Sequence, residues 1–231
     1  MTLLGATQQA FTLILSGDPT LWNIIWVSLR VSSIALICAV PPAVALGFAL
    51  ATFTFPGRRV LVVLLQTLLA LPTVVIGLIM YLLLSRQGAL GAWHWLFTQQ
   101  AMILGQAVLA FPILAAMTLS AVQSVDKRAA ETAKTLGASP LQAMWTVLLE
   151  ARFAVLVAIT TGFGRVLSEI GCAMMVGGNI AGLTRNITTA IALETSKGEF
   201  AQGIALGVVL VALALSVNFA MAFFQGKGLT R

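Results

Sequence analysis

Charge is what this 231-residue sequence has least of: 9 % of its residues are Asp, Glu, Lys or Arg, against about 25 % in an ordinary soluble domain. That shortfall excludes a water-soluble globular protein. With 59 % hydrophobic residues and a mean hydropathy of +1.01, the composition is that of an integral membrane protein. His94 is the only histidine, and with no second ligand beside it no metal site is expected. The two cysteines, Cys38 and Cys172, both fall in apolar segments and read as buried, unreactive thiols. Residues 1–20 lack a basic start and a small-residue cleavage site, so no cleavable signal peptide is expected, and 1–16 reads as an interfacial helix. The net charge of +6 comes from scattered basic residues without interleaved aromatics, which excludes a nucleic-acid partner.

What is present is long uncharged sequence. Residues 60–85, 87–125 and 200–226 contain no charged side chain, and a membrane-spanning helix needs roughly 20 apolar residues. The expectation is an all-α polytopic protein with one transmembrane domain over 1–231 and five spans at 21–51, 60–85, 99–124, 151–176 and 201–224. Pro41, Pro42, Pro72 and Pro112 lie inside three of these, where proline frees a carbonyl and bends the axis. Trp93-His94-Trp95 reads as an aromatic anchor at the membrane boundary.

Orientation follows from the basic residues. Arg58, Arg59, Lys127, Arg128, Lys134, Arg152, Lys227 and Arg231 fall on one side, and Arg86, Arg185 and Lys197 on the other. The richer side is cytoplasmic, so the N-terminus is expected outside and the C-terminus inside. Five spans make too thin a bundle to enclose a hydrated path, and a second copy of the chain is the natural remedy.

Residues 125–150 form a charged island between apolar runs. Asp126 suits the cap of a first helix running to Leu136, and Gly137 suits the left-handed residue that ends it. Ser139, Pro140 and Gln142 have the spacing of a capping box opening a second helix. This is a polar helix-turn-helix built to meet something in water.

The fourth span carries Arg165 and Glu169, four residues apart and able to pair. Each alone costs roughly 2.5–3.5 kcal/mol at a helix centre, so the pair faces protein or water. A wall or gate of a pathway and a structural ion pair both fit. Gly164, Ser168 and Gly171 provide small-residue spacing for close helix contact. Beyond them, Gly177-Gly178-Asn179 and Gly182-Leu183-Thr184-Arg185 break the helix, which a membrane protein tolerates only where the backbone is covered or faces a water-filled cavity. Glycines there let successive N–H groups converge on an anion, although a plain loop would have the same composition.

Two segments carry a resemblance. Glu131-Thr132-Ala133, three residues and Gly137 resemble the Glu-Ala-Ala…Gly loop of ABC importer permeases. The family's later Leu-Pro is absent, since Val147-Leu148-Leu149-Glu150 stands there and leaves the helix free to run on. The run from Gly164-Arg165 through Ser168-Glu169-Ile170-Gly171, Gly177-Gly178-Asn179-Ile180, Thr184-Arg185 and Thr188-Thr189 to Gly198 is similar to the permeases of tungstate-type importers, relatives of the molybdate and sulfate permeases. The resemblance implies a type I ABC importer permease fold and a homodimer in a bacterial or archaeal cytoplasmic membrane. It also implies cytoplasmic ATPase subunits and an external oxyanion-binding protein as partners. Glu131, Ala133, Gly137 and Ser139 would couple to the ATPase. Arg165, Glu169, Gly178, Asn179, Thr184 and Arg185 would line or gate the path of tungstate, with molybdate or sulfate as alternatives. The chain has no Walker-type phosphate loop, so hydrolysis is expected in a partner, and no catalytic role, cofactor or metal is expected here. An ion channel would fit the apolar spans but gives no reason for the capped island. An intramembrane enzyme would need a catalytic pair that Glu169 and His94, in different segments, do not form.

Overall fold

Asp18 accepts the Thr20 N–H at 2.7 Å and Pro19 takes the first helical position, which together launch α1 (Pro19–Thr52). The computed structural model describes Gln8, Thr12 and residues 14–225, all-α with no strand among them. Most of the interfacial helix expected at 1–16, and the basic residues Lys227 and Arg231, lie outside the described residues. Pro41 and Pro42 sit within α1 without ending it. The 34-residue helix, roughly 50 Å long, outreaches a hydrocarbon core of about 30 Å.

The expected span at 60–85 is built of two helices, α2 (Arg58–Ala70) and α3 (Thr73–Leu84), bent by 101° at Leu71-Pro72. Pro72 has no N–H to give and pushes Leu71 out of the helical region, to φ −68° and ψ 134°. Next comes α4 (Gln99–Gln123), capped by Thr98 and continuous through Pro112. It packs along α1 through small residues: Ala35, Ala39 and Ala43 meet Ala110, Leu114 and Ala115, and a Cβ on Gly47 would stand 2.5 Å from the Ala115 carbonyl oxygen. No side chain fits at Gly47.

The helix pair α5 (Lys127–Thr135) and α6 (Pro140–Glu150) follows, and α6 turns by 59° at Ala151 into α7 (Arg152–Leu167). The expected span at 151–176 is likewise interrupted. α7 ends at Leu167, residues 168–170 are irregular, and a short α8 (Gly171–Gly177) resumes. α8 is held at the centre of the core: Cys172, Ala173 and Val176 cluster with Val27 and Val31 of α1, Ile76 and Met80 of α3, and Met102 of α4. Glycines admit it there, since a Cβ on Gly77 would lie 2.8 Å from the Cys172 Cα and one on Gly105 2.7 Å from the Cys172 Sγ.

α9 (Ile187–Lys197) is a helix outside the five expected spans, packed with the start of α1 and with α10 (Phe200–Gln225) through Ile187, Ala190, Leu206 and Leu21. Among the described residues three helices, α1, α4 and α10, are long and apolar enough to cross a membrane alone, and counting each bent pair as one span gives five. Cys172 is buried as expected, whereas Cys38 is exposed, because it sits beside Ile37 on the face of α1 turned away from the Ala35–Ala39 seam.

Candidate functional site

The α5–α6 pair is capped at both ends from its own sequence. Asp126 Oδ1 accepts the Arg128 N–H at 2.9 Å. At the turn, the Gly137 N–H donates to the Lys134 carbonyl and the Ala138 N–H to the Ala133 carbonyl, both at 3.0 Å, with Gly137 at φ +87°. These two bonds make a Schellman ending, so the Ala133 carbonyl and the freedom of Gly137 set the angle between the helices. The Ser139 N–H donates to Gln142 Oε1 at 2.7 Å and the Gln142 N–H returns a bond to Ser139 Oγ at 3.4 Å, closing the capping box. The turn places Leu136 in the open, 83 % exposed, with Leu141 and Trp145 beside it. They border an apolar cleft of about 900 Å³ with Ala133 and Gly137, while Glu131 and Lys134 face a second cleft of about 630 Å³ shared with Ala51 and Gln123.

Arg165 and Glu169 pair across 3.4 Å, with the Glu169 side chain 3 % exposed and the Arg165 side chain 48 %. The carboxylate also accepts the Cys172 N–H at 3.0 Å through Oε1. Glu169 therefore caps α8 while holding the arginine, and this double use ends one helix and starts the next. The Glu169 backbone carbonyl accepts from Thr188 Oγ1 at 2.7 Å, tying the irregular turn to α9. Beside the pair lies a crevice of about 30 Å³, room for one water, bordered by Leu71, Thr73 and Pro112. The α2–α3 break and the α7–α8 break thus meet at one point.

The glycine-rich segment 177–186 is internally bonded. Gly178 and Gly182 adopt φ +68° and +76°, and Asn179 adopts φ +50°. Thr184 is buried, its hydroxyl donating to the Gly177 carbonyl at 2.6 Å and accepting the Ile180 N–H at 2.9 Å. The N–H groups of Leu183, Thr184 and Arg185 all point to the Ile180 carbonyl. The amides of Ile180, Leu183, Thr184 and Arg185 are thus taken within the loop, and that of Gly178 goes to the Met174 carbonyl, so these five do not converge on an anion in this conformation. Arg185 Nη2 lies 3.5 Å from the Asn179 carbonyl, and Asn179 Nδ2 3.4 Å from the Thr189 carbonyl. Arg185 Nε and Asn179 Oδ1 are buried without a partner among the described residues.

Arg165 and Glu169 precede the start of α8 and the segment 177–186 follows its end, both tied to the first turn of α9 through Thr188 and Thr189, while Glu131, Ala133, Gly137 and Ser139 lie at the other end of α4. Gln99 at one end of α4 donates to the Leu183 carbonyl at 2.7 Å, and Gln123 at the other end borders the Glu131 cleft. About 36 Å of helix separates them. Sequence reasoning missed Ser28, whose hydroxyl accepts the Ile187 N–H at 2.7 Å and caps α9 from 159 residues away. It also missed Phe97, at φ +64°, whose ring lies over Gly178. The Asn186-to-Thr189 capping box that opens α9 was missed as well, its third helical residue being Thr rather than Glu or Gln.

Comparison with known proteins gives the family and the fold. Residues 43–227 match the family described as binding-protein-dependent transport system inner membrane component. The chain is 42 % identical over 212 residues to the tungstate uptake system permease protein TupB of Campylobacter jejuni, covering 92 % of this chain and 89 % of that one. It is 31 % identical over 209 residues to the molybdenum transport system permease protein ModB of Escherichia coli, covering 86 % and 90 %. In fold it is similar to a bacterial ABC transporter that imports the acidic polysaccharide alginate, with a TM-score of 0.78 over 98 % of this chain and 88 % of that one, at 16 % identity.

Proposed function

This chain belongs to the binding-protein-dependent transport system inner membrane component family, and from that premise we propose that it is the permease subunit of an ABC importer carrying tungstate. The observation that carries the reading is the α5–α6 pair: two short helices, capped without help from the rest of the chain, holding Leu136, Leu141 and Trp145 out beside an apolar cleft. Apolar side chains held that way need a partner surface. An ATPase subunit on the cytoplasmic face is that partner, and the hydrolysis occurs there. Glu131, Ala133, Gly137 and Ser139 form the coupling element. The choice of tungstate over molybdate or sulfate rests on the higher identity to the tungstate permease than to the molybdenum permease.

The working unit is a pair of these chains with two ATPase subunits, fed by an oxyanion-binding protein on the outside, with the N-terminus outside and the C-terminus in the cytoplasm. Movement of α5 and α6 reaches the membrane interior directly, because α6 continues into α7 across the bend at Ala151 and α7 ends at the Arg165–Glu169 turn. Arg165, Glu169, Gly178, Asn179 and Arg185 border the path, and Thr184 keeps the loop closed behind them. Opening the 177–186 loop would release its amides toward the anion.

The test is uptake of radiolabelled tungstate, molybdate and sulfate by the complete complex in vesicles, with and without ATP inside. Tungstate uptake that requires ATP and is outcompeted by neither rival at equal concentration is the expected result. Uptake indifferent to ATP would refute the importer, and a preference for sulfate would refute the assigned cargo.

A further inference from the structure

A basic cleft near the start of α2 has no part in the transport reading. Arg58 donates Nε to the Leu50 carbonyl at 2.6 Å, closing the end of α1 and fixing its guanidinium so that the two Nη groups stay available. Arg59 follows it, exposed, and the two border a cleft of about 480 Å³ whose other polar groups are Gln66, Ser120 and Gln123. No carboxylate borders it among the described residues. The remaining wall is apolar, from Val62, Leu65 and Leu119. Gln123 also borders the cleft of Asp126 and Glu131, so the basic cleft lies at the α5–α6 end of the bundle, where the apolar bodies of α1 and α4 stop.

We infer that this cleft holds the phosphate of an anionic phospholipid from the adjoining leaflet. Guanidinium forks match a phosphate's oxygens, and cations with no acid among them call for an anion from outside the chain. Two anions have the right tetrahedral chemistry, a lipid phosphate and the carried oxyanion. The apolar wall favours the lipid, whose glycerol and first methylenes would cover Val62 and Leu119, whereas a small dianion would leave them bare. Basic pockets between helices at the cytoplasmic boundary commonly hold such headgroups.

Native mass spectrometry of the purified complex, released from vesicles of equal phosphatidylcholine and phosphatidylglycerol, counts the lipids retained. Phosphatidylglycerol should be retained in preference. Arg59→Gln should lower its retention about fivefold, the loss expected for one cation at an anionic surface. Arg59→Lys should keep most of it, and Arg86→Gln, in the connection leading to the other end of α4, should keep all of it. Equal retention of the two lipids, or an Arg59→Gln complex that behaves like the parent, overturns the assignment. Displacement of the bound phosphatidylglycerol by millimolar tungstate also overturns it, by giving the cleft to the carried anion. No transport is read in this experiment, so its failure leaves the importer reading standing.

Discussion

Glu169 carries more of the local structure than Arg165. Its carboxylate is buried and caps the Cys172 N–H, while the arginine it holds is half exposed and screened by its surroundings. Removing Glu169 leaves a buried N–H unpaired, at a cost of about 1–3 kcal/mol. Arg165→Ala should therefore lower the unfolding midpoint in detergent less than Glu169→Ala, with the double variant close to Glu169→Ala alone. A double variant whose loss is the plain sum of the two would show that the pair does not interact. Gly178 offers a second contrast. A Cβ there would stand 2.8 Å from Phe97 Cδ1 on a backbone at φ +68°, so Gly178→Ala should cost about 1–2 kcal/mol from the backbone alone, plus the clash. Adding Phe97→Leu should recover only the part due to the clash. Thr184→Val leaves the Gly177 carbonyl and the Ile180 N–H unpaired and should be as harmful, while Thr184→Ser should be nearly silent; equal effects from Val and Ser would contradict the latch.

Among the elements, those closed by their own neighbours in sequence were legible and those closed from afar were not. Asp126, Gly137, Ser139 and Gln142 act within a few residues, and the α5–α6 pair appears with the caps its sequence foretells. Pro72 marked a bend but not its 101°, because the angle depends on what α2 and α3 pack against. The α7–α8 break was invisible: it arises from a carboxylate turned back onto Cys172 and from Gly171, where a Cβ would lie 2.7 Å from Val74 Cγ2. α9 needs Ser28, far away in the chain, to close its first turn. The anion nest at 177–185 followed from composition, yet composition does not say that Thr184 and the Ile180 carbonyl take up those amides. The proposed coupling role of α5–α6 is tested at this scale. Gly137→Pro cannot keep φ +87° and loses the N–H that bonds Lys134, so the angle between α5 and α6 must change. Membrane insertion should persist, while ATP-driven uptake falls by about tenfold or more, the scale of one 1.4 kcal/mol coupling step. Glu131→Arg, which reverses a charge in the second cleft without altering the turn, should also impair uptake. ATPase activity and uptake read in the same vesicles would check this, and uptake unchanged in both variants would remove α5–α6 from the coupling role.

For the whole molecule, the α2–α3 break sets the requirement. A bent backbone at membrane depth must be covered by protein or face a water-filled cavity, because lipid satisfies no N–H or carbonyl group. Within one chain that cover is one-sided: α8 packs against Thr73 and Val74, but Leu65 is the sole buried residue of α2, and Leu68, Leu69, Val74, Val75 and Leu78 around the break are exposed. A second copy of the chain supplies the cover in the proposed assembly, and the crevice beside Arg165 and Glu169, which Leu68 and Leu69 also border, then opens toward the crevice of the other copy. The path would run between the two copies. Leu69→Cys in a Cys38→Ser background, which leaves the buried Cys172 as the only other thiol, should yield a covalent dimer with a short bis-maleimide in membranes, and that link should stop uptake. Trp22→Cys, exposed on α1, should stay monomeric under the same treatment. If Leu69→Cys reacts only with a lipid-soluble thiol reagent and never cross-links in any nucleotide state, the break faces lipid and the two-copy path is wrong. If Trp22→Cys cross-links instead, the copies meet through α1, and each chain must cover its own break by a rearrangement of α2.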